Sequence, residues 1–130
     1  MIEFGRVECC GGEDAEAALE YCFSRLTSEH RVVEDSHFGV SVRVCPSCGQ
    51  RFVVIFTEFV DWSGGDDAQY FDIVPVTEDE AAAVVAGNGA DLAALGALGA
   101  GRRRLSSGWP TGGVKTISWR TGAFNVTEGH

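Results

Sequence analysis

Phe38-Gly39-Val40-Ser41-Val42-Arg43-Val44-Cys45-Pro46-Ser47-Cys48-Gly49-Gln50-Arg51-Phe52-Val53-Val54-Ile55-Phe56-Thr57-Glu58-Phe59-Val60 is the stretch from which the fold is read. Over residues 38–44, Val40, Val42 and Val44 alternate with Ser41 and Arg43. A period of two places apolar side chains on one face of a half-buried strand. Residues 51–60 are apolar on both faces and rich in β-branched and aromatic types. That pattern predicts a central strand covered on both sides. Only Cys45-Pro46-Ser47-Cys48-Gly49-Gln50 lies between the two strands. So short a connection predicts an antiparallel hairpin.

Downstream, residues 70–76 read as a third strand, with Pro75 assigned to an edge or a strand end because it has no amide to donate. Thr77-Glu78-Asp79-Glu80 is a capping box that opens a helix over about 78–86, and Gly87-Asn88-Gly89 stops it. Asp91 is placed to cap a further helical turn carrying Leu92, Leu95 and Leu98. Upstream, Ala15, Ala18, Leu19, Cys22, Phe23 and Leu26 share one helical face, which predicts an amphipathic helix over 13–26. From about residue 101 the composition shifts to Gly, Ser, Arg and Thr. We expect residues 101–130 to be an extension wrapping a 1–100 domain, with a weak hairpin in 114–126. Trp109, Ile117, Trp119, Phe124 and Val126 would be its packing residues. The expected fold class is α+β: a small antiparallel sheet with the N-terminal helix on one face, a short second helix and the C-terminal extension.

The chain has 130 residues, long enough for one hydrophobic core without help from a metal. Ten basic against nineteen acidic residues give a net charge of −9. That argues against an autonomous nucleic-acid binder and against a polybasic membrane anchor. No apolar run reaches the length of a membrane span, and the first residues carry no secretory pattern. Five cysteines, an odd number, then read as reduced thiols of a cytoplasmic protein.

Cys45 and Cys48 are spaced to hold one tetrahedral zinc ion, and Gly49 lets the backbone turn so that its amides point at sulfur. Cys-Pro-x-Cys-Gly between two strands resembles the zinc knuckle of zinc-ribbon proteins. The resemblance covers residues 45–49 and implies a structural Zn²⁺ whose first two ligands are Cys45 and Cys48. Zinc ribbons supply a second Cys-x-x-Cys, and this chain has none. The remaining candidate ligands are Cys9 or Cys10, then His37, with His30 a weaker one. A site from Cys9 or Cys10, His37, Cys45 and Cys48 meets the need. One that uses both vicinal cysteines requires an awkward local geometry. Cys22, on the apolar helix face, is expected in the core. Cys-Pro-x-Cys also resembles the active-site motif of glutaredoxin-like proteins, and this implies the alternative function: a small thiol–disulfide oxidoreductase using Cys45 and Cys48. There the motif precedes a helix, whereas a β-type run follows Gln50 here.

Asp61-Trp62-Ser63-Gly64-Gly65-Asp66-Asp67 bunches carboxylates around a tryptophan. It reads as a solvated turn. Its functional reading is a contact surface for a protein partner, expected to be a basic one, through Asp61, Trp62, Asp66 and Asp67. As a calcium loop it lacks the flanking helices and the glycine at position six. Arg102-Arg103-Arg104 reads as a solvated loop that could pair with the acidic turn. The leading expectation is a non-enzymatic small zinc-binding protein. It would act as an interaction or inhibitor/immunity-type module through its acidic surface.

Overall fold

A computed structural model describes residues 1–130. It is an open six-stranded antiparallel sheet with three helices. The strands are β1 (Thr27–Glu34), β2 (Phe38–Val44), β3 (Arg51–Phe59), β4 (Ala68–Val76), β5 (Arg103–Trp109) and β6 (Thr116–Thr121). They lie side by side in chain order, each antiparallel to the next. The hairpin read from residues 38–60 is present, with Val40 opposite Ile55 and Val42 opposite Val53. β3 is covered on both faces as expected. Phe52 and Val54 enter one core cluster, Val53 and Ile55 the other.

Helix α1 (Ala15–Ser24) packs on the Phe52 face, and the Asp14 carboxylate caps it by accepting from the amides of Glu16 and Ala17. Ala18, Leu19 and Cys22 are its buried residues. A 3₁₀ turn over Cys9–Gly11 precedes it. Helices α2 (Glu78–Ala86) and α3 (Leu92–Ala97) join β4 to β5 and cover the Val53 face through Ala81 and Leu95. The capping box at Thr77 is complete, and Asp91 caps α3. No helix is long and apolar enough to cross a membrane.

Two strands were not anticipated. β1 is an edge strand whose pairing with β2 slips twice, so its sequence carries no period of two. β5 contains Arg103-Arg104-Leu105-Ser106-Ser107-Gly108, with a single aliphatic residue to mark it. Arg103 and Arg104 are therefore strand, Arg102 just precedes it, and the run's expected pairing with the acidic turn is not made. Arg102 is bidentate to Glu80, and Arg104, almost fully buried, pairs with Asp72 at 3.0 Å. Pro75 lies beyond the last β4–β5 pair, Ile73 with Leu105, and its carbonyl accepts from Arg102 instead of from a strand.

Residues 114–126 do not form their own hairpin, because β6 takes β5 as its partner. After β6 the chain crosses to the other face, where Phe124 and Val126 pack against the α2–α3 cluster. The amide of Phe124 donates to the Gly96 carbonyl, and a Cβ at Gly96 would fall on the Phe124 carbonyl. The final residue pairs back with β3, through Val60 N to His130 O and His130 N to Glu58 O.

Candidate metal centre

The sulfurs of Cys9, Cys10, Cys45 and Cys48 all lie within 4.8 Å of one another. They come from two places in the chain. Cys45 and Cys48 sit in the β2–β3 turn, where Gly49 adopts φ +77° and its amide donates to the Cys45 carbonyl. Cys9 and Cys10 sit in the 3₁₀ turn ahead of α1. Buried Gln50 fastens the first residues of the chain and the end of β4 to the β2–β3 turn. Its side-chain oxygen accepts from the Ile2 amide, and its nitrogen donates to the carbonyls of Arg51 and Val76.

Vicinal cysteines seldom point the same way. Here Cys10 takes the left-handed conformation, φ 62° and ψ 33°, which brings both sulfurs to one side. A non-glycine residue held there is strained by roughly 1–2 kcal/mol, a state usually retained where function needs it.

Three of the six S···S separations are 3.8 Å for Cys9–Cys45, 3.8 Å for Cys9–Cys10 and 3.7 Å for Cys10–Cys48, and the other three are no longer than 4.8 Å. A metal–sulfur bond of about 2.3 Å in a tetrahedron sets sulfurs about 3.8 Å apart. A disulfide would need about 2.05 Å. The donor set is soft thiolate, which suits zinc and iron and not calcium or magnesium. Cys10 and Cys45 are buried, Cys9 is half-buried and Cys48 is exposed. The four cysteines can thus hold a metal ion, reachable from solvent on one side only.

The sulfurs differ in acidity. Burial alone would raise the Cys45 thiol. The Tyr21 hydroxyl, 3.1 Å away, and the amides of Cys48 and Ser47 override that and bring it down to about 6. Burial pushes Cys10 and Cys9 up, reinforced by neighbouring sulfurs. Cys22 is raised to about 12 by burial and stays outside the cluster as a core thiol. Tyr21 and Gln50 were not singled out in the sequence. The available signal for Tyr21 was its place three residues after Ala18 on the buried side of α1, where a hydroxyl needs a partner.

His37 is not brought to this cluster. It lies at the far end of β2, where its Nδ1 is 3.4 Å from Glu58. The acidic turn does not gather its carboxylates around a common point. Asp61 accepts from the amides of Ser63, Gly64 and Asp66, which hold its carboxyl below the ordinary range. Asp67 accepts from the Asp61 amide, and Asp66 from the Gly112 amide of the β5–β6 turn. Trp62 remains 86% exposed. No protein-family model, curated protein or solved structure matches the chain.

Proposed function

We propose that the four cysteines hold one Zn²⁺ as a structural ion, and that the protein is a non-enzymatic interaction module presenting the acidic turn to a basic protein partner. The observation that carries the zinc reading is the gathering of four sulfurs within 4.8 Å, three of their separations at the spacing of a thiolate tetrahedron. Four protein ligands leave no open position for substrate, which favours a structural ion over a catalytic one. The partner reading rests on the net charge of −9 and on Trp62, exposed among Asp61, Asp66 and Asp67.

Metal analysis of protein made without an affinity tag tests the first part. One zinc per chain is expected, lost in Cys9→Ala, Cys10→Ala, Cys45→Ala and Cys48→Ala and kept in His37→Ala. For the second part, a pull-down at low and at high salt should recover a partner that salt releases. Trp62→Ala should lose it with the zinc content intact. A chain carrying no metal removes the first part, and the absence of any salt-sensitive partner removes the second.

The lowered Cys45 thiol favours one other reading, a thiol–disulfide oxidoreductase. Against it, Cys45 is 1% exposed and lies under Tyr21, out of reach of a protein disulfide. A reversible Cys45–Cys48 disulfide in metal-free protein, with turnover of a small disulfide substrate, would favour the redox reading over the zinc one.

A further inference from the structure

α1 covers only part of its face of the sheet. Beside it, toward the β1 edge, lies a cleft of about 340 Å³. Its floor is β2, where Gly39 and Ser41 are too small to fill the space above them and Arg43 stands at one end. One wall is aromatic: Phe56 and Phe71 pack at 5.0 Å between centroids, and Phe71 meets the half-exposed Phe23 edge-on at 4.9 Å.

Arg43 is anomalous. In a chain with nineteen acidic residues, it is half-buried with no carboxylate partner. Arg51, Arg102 and Arg104 each hold one at 2.7–3.0 Å. The guanidinium of Arg43 makes two long hydrogen bonds to neutral acceptors, the Ser41 hydroxyl at 3.4 Å and the Cys22 carbonyl at 3.3 Å. It also lies 5.9 Å from the centroid of the Phe23 ring. The other charged groups at the cleft are Arg31 and Glu34, which pair with each other at its outer rim. Glu34 is therefore already engaged, and the cleft keeps an excess of positive charge. A cation withdrawn from water is ordinarily paired, and a planar guanidinium fork matches a carboxylate.

We propose that this cleft binds a small aromatic carboxylate, its ring against Phe56 and Phe71 and its carboxylate on Arg43. The volume fits one ring with a short acidic side chain and excludes a folded partner. The carboxylate end of the site lies two residues along the chain from Cys45, but the site uses none of the four clustered cysteines and requires no metal.

Phenylacetate is the probe, titrated into the metal-loaded full chain and followed by amide chemical shifts. A ligand of ten heavy atoms should saturate with a Kd on the order of 1 mM. The shifts should centre on residues 39–43, 56 and 71. Phenylacetamide, with the same ring and no charge, and acetate, with the charge and no ring, should each bind about tenfold more weakly or worse. Arg43→Gln, which keeps a donor for the Cys22 carbonyl, should weaken phenylacetate by a similar factor. The proposal is overturned if phenylacetate fails to saturate at roughly ten times that concentration, if its shifts lie elsewhere, or if phenylacetamide binds as well. Should Arg43→Gln not fold, the acid–amide comparison on the unaltered protein decides.

Discussion

The hydroxyl of Tyr21 reaches Cys45 across 3.1 Å from the middle of α1, so the helix is tied to the cluster by a donor as well as by packing. Groups that hydrogen-bond a metal ligand fix its orientation and typically account for about 10–100-fold in affinity. Tyr21→Phe should therefore still bind one zinc per chain but yield it about 10–100-fold more readily to a competing chromophoric chelator. An unchanged affinity would reduce Tyr21 to a packing residue. At this scale the sequence was informative where spacing alone sets geometry, as at Cys45 and Cys48. Cys9 and Cys10 were found because they precede a helix, but their joint use depends on the φ of a single residue, which composition does not encode. His37 could have been set aside from the sequence. A strand over 38–44 separates it from Cys45 by roughly 25 Å at 3.3 Å per residue.

The start of α2 joins local and distant contacts. Thr77 and Glu80 exchange hydrogen bonds with each other's backbone, and Glu80 also takes both arms of Arg102. The Arg102 guanidinium holds the Glu80 carboxyl below the usual carboxylate range, against an opposing contribution from burial. Because the folded value is the lower one, this stabilisation is present above the unfolded value of about 4.3 and is lost as pH falls through the folded value. Glu80→Gln should be less stable than the unaltered protein by about 1–2 kcal/mol at pH 7 in urea unfolding. The gap should begin to narrow as pH falls below about 4.3 and close once the pH is below the folded value. A gap that persisted in acid would place the effect in packing instead. The capping box was legible because its residues are three apart, whereas Arg102 was not, since the contact spans two helices. The edge strand β1 was missed for a related reason. Its register slips remove the alternation that marks β2, and its exposure removes the apolar content that marks β3.

Across the whole molecule, the cluster fastens the N-terminal turn and α1 to a sheet that has a second core of its own on the opposite face. The Phe38–Ile55 packing and the α2–α3 layer make no use of the cysteines. Removal of the metal should therefore lower the melting temperature without abolishing the strand signal in far-ultraviolet circular dichroism. Binding itself must release protons from the thiols, so affinity should rise with pH. A chelated chain that is wholly unfolded would show that the sheet cannot stand without the ion. The α+β class and the hairpin were legible because β2 and β3 carry strong, simple patterns. The full width of the sheet was not, because β1 and β5 owe their conformation to their neighbours.

β3 runs from the cysteine turn at Arg51 to the acidic turn after Phe59, a distance of roughly 26 Å at 3.3 Å per residue. The two ends are thus a strut's length apart and face separate regions of solvent. A protein docked on Trp62 would cast no shadow on Cys48. Its thiolate would meet chelators and oxidants at the same rate in the complex as in the free chain, and the emission of Trp62 would stay silent while metal left the other end, unlike that of Trp119, which packs beside α1.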